Sequence, residues 1–440
     1  MPMSNLSRAR FVQTRSRLAH AIVVAVWCLL LHACSEESGA GVTLPTQPTQ
    51  ATDATSFADV GVPTEQTDTK TSSDTTTVMD TALTPDDTAL ATDAVETTPT
   101  VDTTKADTTP PVDTTPPPDP EIVRFVVMGD AGTGSATQHQ VADTIKTKCD
   151  AAGCDFVILC GDNIYDTGVE SVMDTQWEDK FEAPYEDLDM PFYAVLGNHD
   201  NGGFLSIVFG DALGGAGGEF IRGDIQVSYT NVSDKWRMPA RFYDFVEGPA
   251  HFFGLDTNDM LWSAIDASAM TRSEAQYGTV PSKIAASDRP WRFAMGHHPY
   301  VSNGQHGNAG SYDGLEEEID AILDALSLDS LLAPVRQMAA GVNVKAGLEE
   351  VVCDTGIDIY FSGHDHNRQW IEGTGDCAGT TFVVSGAGAK VKDFARSDST
   401  PLFADADTEG FFWFEVIDNT LNVEAIDKDG TVQWTHTVTK

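Results

Sequence analysis

Five times in this sequence an apolar run stops at a glycine and the next residue is one that can bind a metal ion. The runs are "RFVVMGDAG", "DFVILCGDNIYDTG", "FYAVLGNHDNGG", "RFAMGHHPY" and "IYFSGHDHN", and the residues after their glycines are Asp130, Asp162, Asn198, His297 and His364. Carboxylate oxygens suit hard cations and imidazole nitrogens suit borderline ones. A second imidazole, His366, follows His364 with only Asp365 between them. A single Gly-Asp step is a common strand-to-turn junction. Five such steps with compatible ligand chemistry point to one shared metal site.

The elements that must position these residues follow from the runs themselves. Four or more mostly apolar residues in a row read as strands buried on both faces, the pattern of a parallel sheet. Glycine at each strand end permits a sharp change of backbone direction and close packing. Loops beyond the carboxyl ends of such strands are where α/β sheets bind ligands. Residues 121–440 alternate β-branched runs with Gly-rich and polar connections, so the expected fold class is α/β with the site along one sheet edge.

The first part of the chain has another character. In residues 1–34, Arg8, Arg10, Arg15 and Arg17 precede "AIVVAVWCLLLHAC", which reads as an export signal and is shorter than the roughly 20 apolar residues of a comfortable membrane span. Its end, "LHAC", resembles a bacterial lipoprotein processing site with Cys34 as the lipid-accepting residue. The alternative is an ordinary secretory signal in which Cys34 is incidental. The lipoprotein reading implies an exported protein anchored through lipid in the outer membrane, facing the periplasm or the cell exterior. From 35 to 120 the residues are mainly Thr, Asp, Pro, Ala and Ser, as in "VDTTKADTTPPVDTTPPPDP". Such a composition cannot bury enough apolar surface to offset the entropy of ordering, so a disordered tether is expected ahead of a folded domain at 121–440. The net charge of −41 excludes nucleic acid as a partner, because binding it depends on basic surface. Of seven cysteines, Cys149 with Cys154 and Cys353 with Cys377 are expected disulfides, and Cys160, on an apolar run, is expected to be a buried thiol.

The ordered set GDxG, GDxxY, GNHD, GHHP and GHDHN resembles the metallophosphoesterases, and within them the purple acid phosphatases of the small tartrate-resistant type. The resemblance covers nearly all of residues 121–440, including "YTNVSDKWRMPARFY", "SGAG" at 385–388 and the closing "GFFWFEVIDNTLNVEAIDKDGTVQW". It implies a βαββα four-layer sandwich, two sheets flanked by helices, with a dinuclear metal site at the sheet edge. Most metallophosphoesterases carry GDxH in the first motif, where the histidine binds metal. Here the motif is "GDAG", Gly132 has no side chain to offer, and Tyr165 in "GDNIY" fills the vacancy. A phenolate is a hard anionic oxygen suited to Fe(III). The resemblance therefore implies Fe(III) on Asp130, Tyr165 and His366, a divalent Fe, Zn or Mn on Asn198, His297 and His364, and Asp162 bridging both. The implied activity is that of an acid phosphatase, hydrolysing phosphate monoesters by in-line attack of a metal-held hydroxide.

The resemblance also implies that His199 and His306 contact substrate phosphate or assist the leaving group, whereas His298 is a bystander and Asp365 a hydrogen-bond partner for an imidazole. Between His306 and the GHDHN turn lies "GLEEEIDAILDALSLDSLLAPVRQMAAGVNVKAGLEEVV", longer than the small phosphatases carry there. Its helical periodicity predicts amphipathic helices bordering the cleft. Two other functions compete: a phosphodiesterase or nucleotide-directed phosphohydrolase on the same site, and a non-catalytic surface binding protein. The filled ligand set argues against the last.

Overall fold

The computed structural model describes residues 119–202, 220–312 and 333–440. The export signal, Cys34, nearly all of the tether and residues 313–332 of the long segment before the GHDHN turn lie outside the described residues.

Among the described residues, fourteen strands form two seven-stranded sheets. In chain order they are β1 (Ile122–Met128), β2 (Phe156–Leu159), β3 (Phe192–Ala194), β4 (Trp236–Arg237), β5 (Tyr243–Glu247), β6 (Ala250–Gly254) and β7 (Trp291–Met295), then β8 (Ile359–Ser362), β9 (Arg368–Glu372), β10 (Thr381–Ser385), β11 (Phe403–Asp405), β12 (Gly410–Ile417), β13 (Thr420–Asp427) and β14 (Val432–Thr439). The first sheet has the order β14-β13-β12-β1-β2-β3-β4 and the second β11-β9-β10-β8-β7-β6-β5. The five runs that open the argument are β1, β2, β3, β7 and β8, and each is parallel to its neighbours among them. Parallel pairing sends their carboxyl ends the same way within each sheet, which is what brings the metal-binding residue types together.

The helices are α1 (Ala136–Ala152), α2 (Phe220–Tyr229), α3 (Thr257–Trp262), α4 (Ala267–Ala286), α5 (Ala333–Ala339) and α6 (Val342–Leu348). Helix α1 is the crossover between β1 and β2, capped by the Ser135 hydroxyl accepting from the Gln138 amide. Period-two alternation divides the second sheet between two cores. Phe252, Phe293, Phe361 and Val383 face the core between the sheets, while their neighbours Phe253, Ala294, Tyr360 and Phe382 face a second core under α3 to α6. At the centre of the first core is Phe125 of β1. Its ring stacks on Phe156 and Phe414 of its own sheet and meets Phe252, Phe293 and Phe361 of the other at centroid distances of 5.2, 5.9 and 6.1 Å. The layers therefore run helix, sheet, sheet, helix, the sandwich expected.

Two disulfides join Cys149 to Cys154 and Cys353 to Cys377, and Cys160 is a buried free thiol, all as the sequence leads one to expect. Of the long segment before the GHDHN turn, the described part is helical, in α5 and α6, with Met338, Val344 and Leu348 buried in the second core. It reaches the site through Tyr312, whose amide donates to the Ala340 carbonyl and whose ring lies 6.2 Å from that of His364.

Candidate metal centre

The chain turns off the ends of β1, β2, β3, β7 and β8 at Gly129, Gly161, Gly197, Gly296 and Gly363. Of the two roles expected of these glycines, a change of backbone direction and close packing, the second is the general one. Only Gly161 among the five has a positive φ, of 87°. The common constraint is space: a Cβ on Gly197 would lie 2.1 Å from an Asp162 carboxylate oxygen, and one on Gly363 2.4 Å from an Asp130 oxygen. The left-handed backbone instead falls on the next residues, Asp130 (φ 58°), Asp162 (φ 52°) and His364 (φ 70°). Non-glycine residues held there store local strain, and here it aims three candidate ligands into one crevice.

Seven side chains converge. At one end, the Tyr165 hydroxyl lies 2.9 Å from Asp130 Oδ1 and 3.3 Å from His366 Nε2. At the other, His297 Nε2 lies 2.9 Å from Asn198 Oδ1 and 3.1 Å from His364 Nδ1. Asp162 stands between, one oxygen 2.7 Å from the Tyr165 hydroxyl and the other 3.5 Å from His297 Nε2. Donor atoms of Asp130, Asp162 and His297 all lie within 4.8 Å of one another. The turn after β8 sends His364 to one end and His366 to the other, so the two histidines serve different halves of the cluster.

The donor set fits cations. Tyr165 has one proton and two buried carboxylates to give it to. Burial, with the charges of Asp130 and then Asp162, pushes its hydroxyl far above the ordinary tyrosine value. A positive ion among these oxygens reverses that preference. Burial and the charges of the surrounding imidazoles hold His364 well below the usual histidine value, which leaves it neutral with a lone pair to offer. His297 donates through Nδ1 to the Cys160 carbonyl at 2.9 Å, so its Nε2 is the free ligating atom. Burial alone would lower its pKa, but Asp162 and Asp130 outweigh it and draw a proton to the place a cation would occupy. Burial would likewise raise the Asp162 carboxyl, yet His297 and His199 hold it well below the usual range.

Histidines 199 and 306 both border this cluster, the first beside Tyr165 and the second beside His364. His199 donates from Nδ1 to the Asp166 carbonyl at 2.5 Å and brings Nε2 to 4.0 Å from Asp162. The His306 ring lies against His364, centroids 4.1 Å apart. His298 is buried and hydrogen-bonded to the Thr257 hydroxyl at 2.8 Å, the structural role expected of it. Asp365 departs from expectation. Its carboxylate accepts the backbone amides of His306 at 2.8 Å and Gly307 at 3.3 Å, because the turn points it at the loop rather than at an imidazole. It fixes His306 through the main chain.

Two functional neighbours escaped the sequence reading. Asp200, the last residue of "GNHD", is fully buried and accepts from the amides of Asn163, Ile164 and Gly197 and from the side chains of Asn163 and Gln226. It clamps the loop of Asp162 and Tyr165 to the turn of Asn198. Burial and the charge of Asp162 push its carboxyl up, to about 6, which leaves it ionised at neutral pH. Its place inside a quoted motif was the available signal. Lys390, just after "SGAG", holds its ammonium 3.4 Å from the centroid of the Tyr165 ring. Nothing in the spacing of that loop marks it.

A sequence model of the calcineurin-like phosphoesterase family matches residues 123–368, a span that contains all seven converging side chains. Tartrate-resistant acid phosphatase type 5 of Mus musculus is 25% identical over 298 residues, covering 62% of this chain and 73% of that protein. Purple acid phosphatase 4 of Arabidopsis thaliana is 26% identical over 341 residues, covering 71% of this chain and 83% of its own length. Among solved structures, a purple acid phosphatase from yellow lupin (Lupinus luteus) seeds superposes with a TM-score of 0.50 at 19% identity, covering 72% of this chain and 54% of that one. With the sandwich and its edge cluster in place, the family match over more than half the chain decides the matter: this chain belongs to the calcineurin-like phosphoesterases, hydrolases of phosphoric ester bonds.

Proposed function

We propose that this chain is an exported acid phosphatase that hydrolyses phosphate monoesters with an Fe(III)–M(II) pair, M being Fe, Zn or Mn, and that lipid on Cys34 tethers it to the outer membrane. The observation that carries the reading is the division of the donor set. Hard anionic oxygens, Asp130 and Tyr165, gather with His366 at one end, suited to the trivalent ion, while the neutral Asn198, His297 and His364 gather at the other, suited to the divalent one. Asp162 reaches both. Two ions held there supply Lewis acidity to phosphoryl oxygens and lower the pKa of water. The likeness to acid phosphatases supports the monoester class.

The chain's own groups have the remaining tasks. His199 is fixed by the Asp166 carbonyl and presents Nε2 to a phosphate oxygen. His306, set by Asp365 through its own amide, stands beside His364 where it can hydrogen-bond the departing oxygen or give it a proton. The anchor rests on "LHAC" and the long tether that follows.

Metal analysis and visible absorption of the purified wild type test the reading. Iron should be present with a tyrosinate charge-transfer band, and Tyr165→Phe should bleach the band and weaken iron retention. An aryl phosphate monoester should be cleaved at acid pH in preference to the matching diester. A colourless, active, iron-free wild type moves the protein to another branch of the family, and diester preference replaces the substrate class. Cys34→Ala should release the protein from membranes; unchanged association rejects the anchor.

A further inference from the structure

The segment after β10 crosses the mouth of the metal cluster and is pinned on both sides. Gly388 donates its amide to the Gly129 carbonyl, next to Asp130, at 3.1 Å, and Lys392 donates its amide to the His366 carbonyl at 2.8 Å. Further on, the amides of Ala395 and Arg396 both reach the carbonyl of Asn303, in the loop that carries His306, at 3.1 Å. This segment holds Lys390, half-buried over Tyr165, and Lys392, exposed at the rim.

Acids outnumber bases in this chain by 67 to 26, so an unpaired lysine is not the default. Many other basic residues follow that arithmetic: Arg124 pairs with Glu415, Lys148 with Glu424, Arg241 with Asp256, Arg272 with Asp259, Arg368 with Asp405 and Lys428 with Glu409, while Lys180, Arg237 and Arg292 spend their N–H groups on carbonyl oxygens. Among the described residues, no carboxylate stands within ion-pair distance of Lys390 or Lys392, and neither amino group has a hydrogen-bond partner. Their charges bear on the site. Lys390 feels Asp130, Asp162 and Lys392, and Lys392 acts on His306. Asp130, Asp162 and Asp166 favour the Lys390 ammonium, whereas Lys392 repels it, and an anion at the rim would relieve that repulsion.

We propose that Lys392, with Lys390 behind it, forms an anion subsite for a second negative group on the substrate, so that the preferred esters are those whose leaving group carries a further carboxylate or phosphate. The inference rests on the phosphatase reading above. The second group takes no part in bond making. It is held at the rim while the phosphoryl group meets the metal cluster, and the water oxygen replaces the ester oxygen on phosphorus as the leaving oxygen takes a proton.

Glucose 6-phosphate and 6-phosphogluconate test this, because both carry a primary phosphate ester at the same carbon and only the second adds a carboxylate. The ratio of kcat/KM for 6-phosphogluconate over glucose 6-phosphate should be about fivefold or more at low salt, the scale of one ion pair, and should lie in KM. Lys392→Gln should bring the ratio near one, Lys392→Arg should retain it, and about 1 M salt should erase it in the wild type. Lys392 is exposed and makes no side-chain bond, so matching thermal melts will show that the variant folds. A wild-type ratio near one, or a ratio that Lys392→Gln leaves in place, overturns the subsite while the phosphatase reading stands. Hydrolysis of neither these esters nor an aryl phosphate removes both.

Discussion

Two glycine-to-alanine substitutions should act with opposite sign. Gly132, of "GDAG", is the position where most relatives of the family resemblance have histidine, and its surroundings leave no room for any side chain. An ideal Cβ there would lie 1.8 Å from the Asn163 carbonyl oxygen, 2.1 Å from its carbon and 2.6 Å from the Ile164 nitrogen. All three are backbone atoms, so no rotamer change relieves the contact, and the loop must withdraw by more than about 1 Å. Withdrawal strains two hydrogen bonds: the Tyr165 amide to the Gly132 carbonyl at 2.8 Å and the Gly132 amide to the Asp162 carbonyl at 3.3 Å. Overpacking costs about 1–3 kcal/mol and each lost bond about 1 kcal/mol, so Gly132→Ala should destabilise by about 3–5 kcal/mol. It should also displace Tyr165, and with it the iron proposed there. Gly278, inside α4, is the control, since a Cβ there has no neighbour within 4 Å. Gly278→Ala should stabilise by about 1 kcal/mol through helix propensity alone. Urea denaturation of both variants with metal analysis gives the answer. A Gly132→Ala protein within about 0.5 kcal/mol of wild type, with its metal retained, would show that the loop yields freely and that glycine here is incidental.

Other outcomes follow from charge and covalent structure. Asp244 is drawn toward its neutral form by burial, but Lys283 and His251 outweigh this and hold its carboxyl below the usual range. Its contribution is therefore present above the unfolded carboxylate value of about 3.9 and is lost as pH falls through the folded value. Asp244→Asn should cost about 1 kcal/mol at pH 7 and progressively less below about pH 4, and a pH-independent gap would reject the assignment. Arg368 is fully buried between Asp405, Gln433 and the Ile426 carbonyl. Arg368→Met strands Asp405 and should cost about 3–5 kcal/mol by denaturation, part of it recovered in Arg368→Met/Asp405→Ala. Replacing Cys353 and Cys377 by serine opens a link of sequence separation 24 and should cost about 3.5 kcal/mol; opening Cys149–Cys154, of separation 5, should cost about 2 kcal/mol. Equal losses would show that strain or packing, rather than chain entropy, sets the contribution of each.

What the sequence reveals and what it hides in this protein divide along a physical line. Asp130, Asp162, Asn198, His297 and His364 were legible because strand and turn chemistry are local. An apolar run, then a glycine, then a ligand-type residue writes the same event into nine or so consecutive letters. Tyr165 was legible through the family resemblance, which places a histidine where Gly132 cannot ligate. The structure deepens that argument, since the backbone of Asn163 fills the space a side chain at 132 would need. Asp200 was missed and Asp365 misjudged for a shared reason. Both are acids beside candidate ligands, and both spend their oxygens on main-chain amides: Asp200 on those of 163, 164 and 197, Asp365 on those of 306 and 307. Backbone N–H groups have the same chemistry in every residue, so no spacing of side-chain types reveals which carboxylate will collect them.

Lys390 is hidden for a different reason, and it bears on function. Its position over Tyr165 depends on a loop anchored at Gly129, His366 and Asn303, three segments far apart in sequence, and each anchor is again a main-chain bond. The ligand cluster can therefore be written by repeated motifs at the strand ends while the rim that meets the rest of the substrate is set by long-range backbone pairing. Because these anchors are main-chain bonds, side chains of that loop can change without altering the candidate ligands at the strand ends. The rim can then differ between members of one family without disturbing the chemistry below it, and here it carries two lysines with no carboxylate at ion-pair distance among the described residues. Reaction class follows from the strand ends, whereas substrate choice follows from the loop, so the two kinetic tests above address separable parts of the molecule.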